Sequence, residues 1–155
     1  ESTDPQVKDI YSREEAIATT ALARATGEEE DWRAAEKLFD QLKAPESGRE
    51  AFFFHFYRGM TKRERGQSQT DEQALREAIR SFRHARAEQT NRGLEYLLAD
   101  CLVQLQNPDS RDVQEMSELV PQLVQASPDD RLVKSVEARW KLRQEILEKD
   151  SDQPS

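Results

Sequence analysis

Glu77-Ala78-Ile79-Arg80-Ser81-Phe82-Arg83-His84-Ala85 carries its small and apolar residues at Ala78, Phe82 and Ala85. The spacing i, i+4, i+7 puts all three on one face of an α-helix. The same spacing recurs upstream at Ala35, Phe39 and Leu42, led by Trp32, and downstream at Met116, Val120 and Leu123, followed by Pro128. Ala35, Ala78 and Met116 lie 43 and 38 residues apart. A helical face repeated three times at such intervals predicts stacked supersecondary units rather than a single irregular core.

Working outward, breakers divide the chain into short helical segments. They fall at Gly27 and over 45–48, 66–71, 90–93, 107–110 and 127–130. The intervals predict seven helices over 13–26, 31–44, 49–65, 72–89, 93–106, 111–126 and 130–148. No stretch alternates polar and β-branched residues long enough to predict a strand. Short turns between helices imply antiparallel neighbours.

Tyr57-Arg58-Gly59, then Arg65-Gly66-Gln67, then the 77–85 segment together resemble one tetratricopeptide repeat. The resemblance implies that Gly59 lets the second helix of a pair pack close and that Gly66 ends the first. Ala78, Phe82 and Ala85 then fill the groove between them. Ala23, Trp32, Ala35 and Phe39 match in a first repeat, and Leu98, Ala99, Leu102, Met116 and Pro128 in a third, so the resemblance covers 13–128. The fold it implies is all-α: antiparallel helix pairs stacked as a short right-handed α-solenoid, three repeats and a C-terminal capping helix with a polar face. Two features depart from the family. Its period is about 34 residues, shorter than the intervals here. Pro121 also sits inside the sixth helix, where it is expected to kink or divide it. A non-repetitive helical bundle is the competing architecture.

Composition agrees with a surface-rich stack. Of the 155 residues, 35% are hydrophobic and 35% charged, with mean hydropathy −0.94. One repeat domain is expected over 10–148, between flexible tails at 1–9 and 149–155. A chain of this length buries enough surface to fold without a metal or disulfide. The net charge of −8 divides as −6 over 1–50, +2 over 51–100 and −4 over 101–155. That balance disfavours a protein that grips nucleic acid with its whole surface. Cys101 is the single cysteine, which fits either a cytoplasmic or a periplasmic setting; its leucine neighbours mark it as a buried structural thiol. No apolar run approaches the ~20 residues of a membrane span. The chain opens on Glu1, as a processed or trimmed form would, and compartment stays open.

Catalytic signals are missing. His55 and His84 are the only histidines, and there is no HExxH pair, CxxC, GxSxG elbow or phosphate-cradling glycine loop. The acids at 28–31 suit a helix start without any ligand. A non-catalytic protein with neither cofactor nor metal is expected. The stretch 51–57 holds four of the six phenylalanines, too many rings for one helical face. The resemblance implies that the first helix of each pair lines a concave surface. Phe53, Phe56, Met60 and Arg63 would then face a groove with Ile17 and Arg24 from the first repeat and Tyr96, Asp100 and Val103 from the third. The alternative is that the rings are core. Arg76, Arg80 and Arg83, with Arg86 nearby, form a basic stripe opposite Ala78, Phe82 and Ala85. It is either an anion patch or a solvated face paired with Glu72 and Glu77. The expected function is protein binding, as an adaptor, scaffold or chaperone that holds an extended peptide or a helix. In length and acidity the chain is similar to the acidic translocator chaperones of type III secretion. Nucleic-acid or anionic-ligand binding through the arginine stripe is the alternative.

Overall fold

The structure, a computed structural model, describes residues 4–151. Among them it is all-helical, with seven helices: α1 (Pro5–Thr26), α2 (Glu29–Asp40), α3 (Gly48–Ser68), α4 (Glu72–Glu88), α5 (Arg92–Gln104), α6 (Ser110–Ala126) and α7 (Arg131–Ser151).

Local chemistry explains most boundaries. Asp71 caps α4 by accepting from the Ala74 N–H, and Asn91 caps α5 by accepting from the Leu94 N–H. Asp109 and Asp112 form a reciprocal capping box at the start of α6. Gly27, at φ 70°, closes α1 and returns its N–H to the Ala23 carbonyl.

Two expectations are corrected. Helix α1 starts at Pro5, because Asp4 accepts from the Gln6 N–H and proline suits the first turn. Residues 5–9 are therefore helical rather than tail, as are 149–151 at the end of α7; 1–3 and 152–155 lie outside the described residues. Pro121 does not divide the sixth helix, since α6 is continuous from Ser110 to Ala126. Pro121 and Ser117, whose carbonyl loses its donor, are both exposed, so water can satisfy the freed group.

The helices fall into two compact units that meet at Thr90 and Asn91. In the first, α1 packs on α2 and α3, α2 on α3, and α3 on α4. In the second, α5 packs on α6 and α7, and α6 on α7. The first unit buries Ala16, Phe39 and Phe54 together, with the Phe39 and Phe54 rings edge to face at 5.3 Å. The second buries Leu98, Cys101, Leu102, Met116 and Val120.

The α3–α4 seam is the closest. A Cβ built at Gly59 would stand 2.6 Å from the Phe82 ring, and one at Gly66 2.7 Å from the Leu75 side chain. Ala78, Phe82 and Ala85 are fully buried. Gly59→Ala should therefore destabilise the protein despite alanine's ~1 kcal/mol advantage inside helices, because overpacking costs about 1–3 kcal/mol. In a Phe82→Leu background the obstructing ring is gone, and the same change should become neutral or stabilising. Urea unfolding of the two single variants and the double variant measures this coupling.

Candidate functional site

In the first unit, α1 and α3 enclose a cleft of about 130 Å³. Ile10, Arg13, Glu14 and Ile17 form one wall, and Glu50, Phe53 and Phe54 the other. Residues 10, 13, 14 and 17 share a face of α1 by helical spacing. Phe54 is buried at the base, Phe53 is half-buried, and Ile10 is 41% exposed. Charge borders this apolar interior. Arg13 Nη2 lies 3.6 Å from Glu50 Oε2, and the Arg49 guanidinium lies 5.3 Å from the centre of the Phe53 ring. Phe53 and Ile17, both expected to line a groove, thus come together.

The other expected groove residues do not join them. Phe56 stacks on Phe52 at 5.6 Å and meets Phe82 of α4 at 6.3 Å, so its ring is committed to the α3–α4 seam. Met60, one turn further, is buried at 7% exposure and is no surface anchor. Arg63 is half-buried and has partners of its own. Arg24 is exposed in the last turn of α1, roughly 10 Å along the axis from Ile17.

In the second unit, Tyr96 is half-buried. Asp100, expected to face a groove, is only 5% exposed. Its carboxylate accepts from Gln104 Nε2 at 3.0 Å and lies 3.8 Å from Arg139 Nη1. Val103, also expected in the groove, is buried at the edge of an α5–α7 cleft of about 450 Å³ with Leu142 and Ile146. There Arg143 donates to the Val103 and Gln106 carbonyls at 3.3 and 3.2 Å, capping the end of α5.

Of the arginine stripe, Arg80 is exposed, while Arg76, Arg83 and Arg86 are half-buried and engaged. Arg76 Nη2 lies 3.9 Å from Glu72 Oε1 one turn back. Among the described residues no helix is long and apolar enough to cross a membrane.

Sequence reasoning missed a charged centre. Lys62 of α3 is 3% exposed, and its ammonium lies 3.0 Å from Asp40 Oδ1, 3.3 Å from Glu77 Oε2 and 3.8 Å from Glu36 Oε1. It ties α2, α3 and α4 together. Arg65 adds a 2.7 Å bond to Glu36, and this bond, then the Glu36 charge, raises its pKa above the ordinary value. The signal was available: Lys62 lies on the stripe of Gly59 and Gly66, and Glu36 and Asp40 are one turn apart. Lys62→Met should cost more than the ~1 kcal/mol ceiling of a surface pair, approaching the 3–5 kcal/mol loss of a broken buried pair. Chemical denaturation at neutral pH reads the difference, and a loss below ~1 kcal/mol would make Lys62 a bystander.

The two histidines also meet. His55 of α3 and His84 of α4 stack with centres 4.8 Å apart, and His55 Nδ1 is buried without a hydrogen bond. Burial, then the charges of His84 and Arg58, push the His55 pKa down to about 4 against the opposing pull of Glu88. The unfolded chain therefore takes this proton first as pH falls from about 6.5. The contribution of a neutral His55 is complete above pH 6.5 and declines toward pH 4. Urea midpoints measured from pH 7 to pH 4.5 should fall, and His55→Phe should flatten part of that fall.

Comparison of the chain with family models, with curated proteins and with solved structures finds no match.

Proposed function

We propose that this chain is a non-catalytic protein-interaction module, an adaptor, scaffold or chaperone, whose α1–α3 cleft receives an apolar side chain from a partner's helix or extended segment. The observation that carries the reading is that cleft. An exposed isoleucine, a half-buried phenylalanine and Ile17 meet between two helices, with an ion pair at the rim. Aromatic and large aliphatic groups in a partly enclosed pocket, surrounded by charge, have the composition of an interface centre.

On this reading the helix pairs α1/α2, α3/α4 and α5/α6, with α7 as a cap, follow the right-handed α-solenoid plan of the tetratricopeptide type. Three features support it. Within the first unit, α1 packs on its own partner α2 and on α3, the first helix of the next pair; within the second, α5 packs in the same way on α6 and α7. Gly59 meets Phe82 where such a repeat needs a small residue. The fully buried positions Ala35, Ala78 and Met116 are those that the repeat register equates. The arginine stripe gives less support to nucleic-acid binding, because three of its four members are half-buried and engaged within the chain.

Ile10→Asp tests the proposal, since Ile10 is exposed enough to change without unfolding α1. Proteins retained from the native cell lysate by the parent in stoichiometric amount should be lost by the variant. Affinity of the purified partner should fall about 30-fold or more, the equivalent of a ~2 kcal/mol hot spot, at unchanged melting temperature. Undiminished retention would place the partner elsewhere.

A further inference from the structure

A second cleft of the first unit, about 240 Å³, lies between α2 and α3. Most of its polar lining is already satisfied. Arg33 pairs with Glu29 at 2.6 Å, Arg65 pairs with Glu36 at 2.7 Å and with Asp71 at 3.5 Å, and the Thr61 hydroxyl donates to the Arg58 carbonyl at 2.7 Å. Four lining groups have no side-chain partner among the described residues, and two of them, Ser68 and Gln69, are exposed. The other two, Trp32 and Glu64, are half-buried residues. A carboxylate with no donor of its own is free to take a cation's N–H groups, and an indole face attracts cations. Glu29, Glu30 and Asp31 in the first turn of α2 add negative potential beside Trp32. The cleft is smaller than the ~300–1,000 Å³ of pockets for drug-sized ligands, so its capacity is that of a single side chain.

From this geometry we infer that the α2–α3 cleft binds a guanidinium group, stacked on Trp32 and ion-paired with Glu64. A guanidinium is planar, weakly hydrated and forked, so it can lie on an aromatic face while its N–H groups engage a carboxylate. An anion is poorly served here, because both lining arginines are paired and it would meet Glu64. The site is separate from the α1–α3 cleft and does not depend on the function proposed for it.

The chain has two tryptophans, so Trp140→Phe leaves Trp32 as the sole indole reporter. Its fluorescence is followed while a blocked Gly-Arg-Gly peptide is added, with Gly-citrulline-Gly as the neutral isostere and free arginine as a third probe. The arginine peptide should produce a saturable change with a Kd on the order of 1 mM, and the citrulline peptide should bind at least about ten-fold more weakly. Glu64→Gln should abolish that ten-fold preference while leaving the melting temperature unchanged. The arginine-to-citrulline ratio, repeated by calorimetry on the unmutated protein, stands independently of how any variant folds. Tighter binding of the blocked peptide assigns the guanidinium to a polypeptide partner, and tighter binding of free arginine assigns it to the amino acid. Equal affinity for the arginine and citrulline peptides, or no saturable response to any arginine probe, overturns the inference.

Discussion

The close approach of α3 and α4 at Gly59 is the constraint on which the rest of the first unit depends. With no Cβ at that position, the Phe82 ring lies directly against the α3 backbone. The rotation of α3 about its axis is then set. Phe52 and Phe56 lie within roughly 60° of Gly59 around the helix and turn toward the seam, whereas Phe53 lies roughly 120° away. That offset carries Phe53 to the α1 side, where it forms part of the α1–α3 cleft. One missing methyl group therefore separates the rings that build the core from the ring that lines the α1–α3 cleft.

The same rotation accounts for Lys62. It follows Gly59 by one turn and precedes Gly66 by another, so it stays near the seam but meets carboxylates from α2 and α4 instead of apolar groups. Desolvating an ammonium is costly, and the attraction offsets that cost only where several acceptors converge. Here three carboxylates do so, and their own side chains remain 14–46% exposed, which keeps their share of the cost small. The Gly59–Phe82 contact already fixes how α3 meets α4, and the charges add to it. A cation matched to Glu36, Asp40 and Glu77 penalises a helix that slides or rotates. The charge-rich composition is thus partly structural, and counting it all as solvated surface understates how the first unit is held.

Helix number and placement were legible in the sequence because breakers and caps act locally. Asp71, Asn91 and the Asp109–Asp112 pair each mark a start that needs no tertiary information. The α3–α4 seam was legible for a related reason, since Gly59, Ala78, Phe82 and Ala85 are residues whose size alone implies close contact. What could not be read was the direction of each ring in the 51–57 run. Every position there is apolar or aromatic apart from His55, so periodicity holds no contrast: Phe53, Phe56 and Met60 share one helical face by spacing, yet Phe56 turns to Phe82 and Met60 is buried, while Phe53 lines the α1–α3 cleft. Asp100 was misplaced because a charged residue reads as surface until its partners, Gln104 and Arg139, are seen. Asp4-Pro5 was an overlooked start signal inside a segment that polarity alone marked as tail.

Helix α3 shows why amphipathic patterning is a weak guide in this chain. It packs against α1, α2 and α4, so little of its circumference faces water for long and no single apolar stripe dominates. The cost is a helix whose sequence looks unpatterned. The consequence is that two clefts of different chemistry open along one element. The α1–α3 cleft is chiefly apolar inside and suits affinity through desolvation. The α2–α3 cleft holds an indole among carboxylates and suits discrimination between charged and neutral groups, which electrostatic complementarity supplies more readily than raw affinity. Because both are built on the same rigid helix, a change that rotates α3 at the Gly59 seam would disturb the two together, whereas a change confined to α1 or α2 would disturb only one.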